Sequence, residues 1–316
     1  MSGLMAVFRK ELADHFASKR FIILSLLIYL AGIATIYVAA QNIRSGMTET
    51  TQFIFLRLFI VSGETLPFSF PFFLSLFIPI VGIALGFDSI NSERASGNLS
   101  RLLSQPLYRD SVINGKFLAG LFTLAILVVS IVAIVAGLGL RMIGVPPGAE
   151  EVLRLLAFIL VSVIYGAFWM ALAVFFSVFF KKTATSALAS IALWIFLFLF
   201  ISMIARAIAG AAVPIDQNSS LDLILRNDEV YRIISRISPN TLYGEAVQVL
   251  LMPELGNPSA TLMILSIATA GMIPGPLSLG QSLLVIWPQL TGLIALTALC
   301  FAVSYIRFMR EEIRST

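Results

Sequence analysis

Six long apolar runs constrain what this chain can fold into more than any other feature. They lie at about 21–41, 68–88, 115–140, 155–180, 184–209 and 283–306. Each reaches the roughly 20 apolar residues that one bilayer crossing needs. The runs are continuous rather than alternating, so they read as helices and not as barrel strands. A helix also satisfies its own backbone in lipid. Of the 316 residues 59% are hydrophobic and only 12% are charged, more apolar surface than a water-soluble domain can hide. The predicted fold class is an all-α integral membrane protein, one transmembrane domain over residues 1–316. The first run does not read as a signal peptide: it begins at Phe21, is too long, and follows Glu11 and Asp14.

A net charge of +4 raises nucleic acid as a partner, but the cations sit at the ends of the runs, where they set topology instead. Arg9, Lys10, Lys19 and Arg20 precede the first run. Arg94, Arg101, Arg109 and Lys116 follow the second, Lys181 and Lys182 the fourth, and Arg307, Arg310 and Arg314 the last. The short loops of the other side hold only Arg44, Arg57, Arg141 and Arg154. Arg206, Arg226, Arg232 and Arg236 belong to a long segment, where the rule is weak. The expectation is a multi-pass protein of the plasma membrane with both termini cytoplasmic.

Before the first span, Leu4, Phe8, Leu12 and Phe16 recur every four residues, with Arg9, Lys10 and Asp14 off that stripe. Residues 4–19 therefore read as an amphipathic helix in the interface, with Glu11 on it. His15 has no His or Cys partner for a metal, and Cys300, inside the last span, reads as packing. Residues 210–282 form the one long extracytoplasmic segment. Ser238-Pro239-Asn240 breaks it, and Thr241–Leu251 resumes an amphipathic pattern, Leu242, Ala246, Val249 and Leu250 against Glu245 and Gln248. The apolar stretch at 258–274 is short and reads as re-entrant or interfacial.

No Asp, Glu, Lys or Arg stands in the middle of a run, which argues against a carrier coupled to protons or sodium. There is no HExxH and no GxSxG, and the "NGKF" of residues 114–117 lacks the rest of a phosphate-binding loop. The chain therefore reads as neither an enzyme nor its own ATP-driven motor. Gly82 and Gly86 form a GxxxG, which serves either close approach by another helix or ordinary packing inside the bundle. Aromatic residues crowd the fourth and fifth runs, as lipid-facing anchors and, on a minority reading, as a lining for a hydrophobic substrate.

The densest polar stretch, "NSERASGNLSRLLSQPLYRDSVINGK" from Asn91 to Lys116, joins the second and third spans. Asn98 can cap a two-turn helix that places Leu99, Leu102 and Leu103 on one face. Pro106 stops it, and Gly97 permits a sharp turn before it. Two turns are not stable alone, so the leucines need a partner surface or the lipid headgroups.

That stretch resembles the central motif of type 2 ABC exporter permeases, the membrane subunits of ATP-binding-cassette systems whose ATPases are separate chains. Glu93, Gly97, Leu99, Leu102, Leu103, Pro106, Arg109 and Lys116 fall on the motif; Asn98 stands where Thr is commoner. "FRKELADHFASKRF" resembles the family's amino-terminal elbow helix, with Phe8, Arg9, Lys10, Glu11 and Leu12 in it. "SPNTLYGEA" and "RFMREEIR" resemble its later segments. Within the family the chain is similar to the permease of the nitrous oxide reductase maturation system. The resemblance implies two permease chains, most simply a homodimer, with two ATPase subunits that bind ATP and Mg while this chain binds no cofactor. It implies a coupling region at 90–110, with the coupling helix within Ser92–Gln105, and an extracytoplasmic segment that gates or docks an accessory protein. Export of hydrophobic or lipid-linked material fits the uncharged spans, as does mechanotransmission or scaffolding without a transported solute.

Overall fold

The structure is a computed structural model that describes residues 3–45, 53–61, 68–97, 108–216, 219–253 and 276–310. Among them every regular element is helical. In chain order these are α1 (Gly3–Ala17), α2 (Lys19–Ser45), α3 (Ile54–Ile60), α4 (Phe70–Gly86), α5 (Asn91–Ala95), α6 (Arg109–Ile143), α7 (Ala149–Phe179) and α8 (Thr183–Ile195). A π-helical turn (Phe196–Phe200) leads into α9 (Ile201–Ala212), followed by α10 (Leu221–Ser235), α11 (Pro239–Leu251) and α12 (Leu279–Arg310).

The six apolar runs emerge as six helical stretches long and apolar enough to cross a membrane: Lys19–Ile43, Phe70–Ala95, Arg109–Ile143, Ala149–Phe179, Thr183–Ala212 and Leu279–Arg310. Most outrun their apolar stretches, because backbone hydrogen bonding continues until a cap stops it. Gly144 ends α6 in the left-handed conformation, φ 77°, its N–H returning to the Leu140 carbonyl. Glu151 opens α7 by accepting the Gly148 N–H at 2.7 Å.

The second, third and fourth spans form the core, with 56%, 50% and 67% of their apolar windows buried, against 22%, 11% and 17% for the first, fifth and sixth. Glycine sets the spacing. A Cβ on Gly82 would lie 2.7 Å from the Gly166 carbonyl oxygen, and one on Gly86 2.6 Å from that of Met170. The GxxxG thus lies against α7 of its own chain. Gly166 in turn admits Leu124 of α6. In the outer spans, side chains such as Ile23, Leu30, Leu188, Met203 and Leu284 are exposed, the surface that lipid or another chain covers.

The segment after the fifth span folds back onto the bundle. Asn227 of α10 donates to the carbonyls of Ala209 (3.0 Å) and Val213 (2.8 Å), and Arg206 lies over the Tyr231 ring. The Ser238 hydroxyl donates to the Leu197 carbonyl at 2.8 Å. So α10 runs back along α9, and its end meets the π-helical turn in the fifth span. α11 then returns through the bundle, its Tyr243 stacked on Tyr165 of α7 with ring centroids 4.4 Å apart. It is buried on most sides, Glu245 included, rather than amphipathic at the surface. Glu245 tolerates burial because Arg236 (3.0 Å) and Gln289 of α12 (2.8 Å) both donate to it. The stretch expected to be re-entrant at 258–274 lies outside the described residues.

Candidate functional site

The polar stretch after the second span begins on the bundle face that holds both α1 and the end of α12. Chain direction changes just past α4, and the Ser177 hydroxyl of α7 accepts the N–H groups of Ile90 (3.0 Å) and Asn91 (3.2 Å). Ile90 is buried with Val112 and Ile113 of α6, Val178 of α7 and Phe308 of α12. The short helix α5 is thereby pinned to three spans. Gly97, φ 71°, takes the left-handed turn that follows it.

Lys116 organises what surrounds α5. Two turns into α6, it is buried, and its ammonium lies 2.8 Å from a Glu11 oxygen of α1 and 2.8 Å from a Glu93 oxygen of α5. Lys10 adds contacts of 3.0 Å to Glu11, 3.3 Å to Asp14 and 3.9 Å to Glu93. Close approach of α1 depends on Gly115, where a Cβ would stand 2.9 Å from the Val7 side chain. Arg20, at the start of α2, closes the rim with a 2.6 Å contact to Asp88 and stacks over Phe87. Three elements distant in sequence are therefore joined through one buried ammonium.

The electrostatics follow from that geometry. Burial disfavours the Glu11 carboxylate, yet the Lys116 ammonium, by charge and by hydrogen bond, overcomes burial and holds its pKa below the ordinary value. Burial likewise opposes the Lys10 ammonium, and Glu11, Asp14 and Glu93 together raise its pKa. His15 lies over Gly120, and burial lowers its pKa against the pull of Glu11. It is neutral at pH 7, with no cluster of metal-ligating groups among the described residues.

Of the residues singled out from sequence, Glu93, Lys10, Glu11 and Lys116 meet here, while Gly97 turns the chain past α5 and Arg109 opens α6. Asn98, Leu99, Leu102, Leu103 and Pro106 lie outside the described residues. On α1 the buried residues are Val7 and Glu11, not the expected stripe. Phe8 instead meets Phe122, and Phe16 meets Phe21. Leu12 is half-buried and Arg9 exposed.

The sequence reading missed the pairing of Lys116, and also Asp88 and Ser177. No local signal marks that pairing: a lysine near a span end ordinarily snorkels to water, and only burial makes its ammonium demand an acid.

At the opposite end Arg154 of α7 is fully buried. Its guanidinium donates to Glu150 (2.8 Å), the Leu250 carbonyl (3.2 Å), Ser282 (3.0 Å) and the Leu277 carbonyl, and lies over Phe53. Glu151 accepts the N–H groups of Phe55 (3.1 Å) and Leu56 (3.4 Å). The sequence reading counted Arg154 only as a topology marker in a short loop.

Compared with known protein families, residues 5–313 match the family described as "ABC-2 family transporter protein". No curated protein matches the chain, so that comparison singles out no individual relative.

Proposed function

The chain belongs to the ABC-2 family of transporter proteins, a membrane permease of the ABC class, and on that premise we propose how it is driven. It is an exporter subunit. Two copies pair as a homodimer in the plasma membrane, and two separate ATPase subunits, which hold ATP and Mg, seat on the face that carries α1 and the end of α12. That face is cytoplasmic. Residues 92–105 are the handle that the ATPases grip, and Leu99, Leu102 and Leu103 supply its apolar contacts to them. The hairpin of α10 and α11 lies on the extracytoplasmic side as a gate or as the seat of an accessory protein.

The observation that carries this reading is the double contact of Lys116 with Glu11 and Glu93. It joins the elbow helix and the root of the handle to the third span. A displacement of the handle then moves that span and α1 together, since a buried ion pair resists separation. Spans without internal charge suit a device whose energy arrives by mechanical coupling.

The test is co-purification of the chain with its ATPase, followed by ATP turnover of the reconstituted complex. A Leu99→Ser, Leu102→Ser, Leu103→Ser triple variant is expected to lose ATPase binding while the permease itself stays folded. Unchanged assembly and turnover in that variant would sink the proposal.

A further inference from the structure

Between α1, the start of α2, the end of α4 and α6 lies a cavity of about 460 Å³. That is within the range of ligand sites. Its depth is apolar, made by Leu85, Phe117, Met170 and Val174. Its wall and mouth hold three cations, Lys10, Arg20 and Lys116, and four anions, Glu11, Asp14, Asp88 and Glu93. With His15 neutral, one negative charge is left over. The cations grade with depth: the Lys116 side chain is 7% exposed, whereas those of Lys10 and Arg20 are 56% and 62% exposed.

Two wall residues are chemically incomplete. The second carboxylate oxygen of Glu93, Oε2, and the Ser89 hydroxyl are both buried and have no hydrogen-bond partner. An unsatisfied buried polar group costs about 1–3 kcal/mol, more when charged, so this wall calls for a hydrogen-bond donor. Beside the mouth, α2 leaves Arg20 and continues with Ile23, Leu26, Leu27 and Leu30 exposed. That is a strip on which acyl chains can lie.

We propose that this cavity binds the headgroup of an aminophospholipid from the leaflet on the termini face. The primary ammonium reaches Glu93 Oε2 and Ser89, the phosphate stays at the rim between Lys10 and Arg20, and the tails run along α2. The inference rests on the membrane-spanning reading of the helices and not on the ATPase. A primary ammonium offers three donors to an acceptor wall, whereas a quaternary choline offers none. An ammonium and a guanidinium at the rim are the groups that hold a phosphate by charge-assisted hydrogen bonds. Binding there cements α1 to α2 and α5, so the lipid becomes a component of the coupling face.

The experiment uses the full chain in nanodiscs of phosphatidylglycerol mixed with either phosphatidylethanolamine or phosphatidylcholine of identical tails. It is then extracted in mild detergent for native mass spectrometry and thermal unfolding. Phosphatidylethanolamine is expected to stay bound at about one molecule per chain and to raise the melting temperature, since a ligand specific to the folded state stabilises it. Phosphatidylcholine is expected to do neither.

Glu93→Gln and Ser89→Ala are each expected to weaken retention about tenfold, the loss of one charge-assisted hydrogen bond. Lys10→Ala with Arg20→Ala tests the phosphate end in the same way. Soluble phosphoethanolamine without tails is expected to displace the lipid only at high concentration. Equal retention of the two lipids, or preferential retention of phosphatidylglycerol, would overturn the proposal. So would retention that is indifferent to all of these substitutions. The comparison of lipids on the unaltered chain keeps the test decisive if a variant fails to fold. Failure here leaves the ATPase reading standing, because that reading is tested by co-purification instead.

Discussion

Lys116 stands 2.8 Å from Glu11, a residue 105 positions earlier in the chain, and the contact is buried. The same ammonium holds Glu93, so both contacts persist only while α1, α5 and α6 keep their mutual positions.

Replacing Lys116 with Met therefore leaves two buried acids with only the more exposed Lys10 as a cation. Breaking a buried pair by removing one partner costs about 3–5 kcal/mol. Thermal unfolding of Lys116→Met is expected to show a loss of that order, with α1 exposed to proteolysis. Adding Glu11→Gln and Glu93→Gln is expected to restore part of it, because the uncompensated charge is then gone. A triple variant no more stable than the single one would contradict this account.

Acid weakens the same contact, and the sign can be worked out. His15 has a folded pKa below its ordinary 6.5, so the unfolded chain binds the proton more readily and stability falls as pH drops below about 6.5. Glu11 also has a depressed folded pKa. Its contribution is complete above the ordinary 4.5 and fades as pH falls from there through the folded value. Facing His15 are Glu11 and Asp14 on α1, Asp88 after α4 and Lys116 on α6. Protease sensitivity of α1 is expected to rise in two steps on acidification. His15→Gln removes the first step and leaves the second; persistence of the first would show that another group causes it.

Gly82→Ala and Gly86→Ala each drive a methyl group against an α7 carbonyl. Overpacking of this kind costs about 1–3 kcal/mol. Each variant is expected to melt lower as an isolated chain in detergent. Loss of dimer with unchanged melting would instead place the GxxxG between copies.

Arg154 joins α7 to Leu250, Leu277 and Ser282 as well as to Glu150. Lysine cannot reproduce a planar fork of five donors. Arg154→Lys is expected to lose most of the stability that Arg154→Met loses, about 1–3 kcal/mol for each buried acceptor left unpaired, Glu150 itself being partly exposed. Thermal unfolding with proteolysis near α11 reads it. Full rescue by lysine would show that charge alone matters there.

The six spans were legible because lipid imposes length and apolarity on each span locally, without reference to any partner. Gly82 and Gly86 were legible as a close-approach surface, but nothing local says which helix approaches; that is fixed by Gly166 and Met170, more than 80 residues away. Glu245 was misread because its local pattern is amphipathic, while its satisfaction comes from Arg236 and from Gln289, 44 residues on. The return that brings Arg236 back toward the fifth span is made by α10, which Asn227 and Tyr231 hold against α9. Arg154 and Lys116 were read as topology markers, since a cation near a span end ordinarily snorkels to water. Burial converted both into structural hubs.

The central claim is that the Glu11–Lys116–Glu93 cluster transmits ATPase motion into the membrane bundle. Its most direct test is a spin-label distance between Ser96→Cys, beside α5, and Asp222→Cys on α10, with Cys300→Ser as background, in the complex with the ATPase. ATP with vanadate is expected to shift that distance when the cluster is intact. Glu93→Gln, which keeps the shape of the side chain and removes its charge, is expected to leave the ATPase bound while abolishing most of the shift. An undiminished shift in Glu93→Gln, with the complex assembled, would contradict the account.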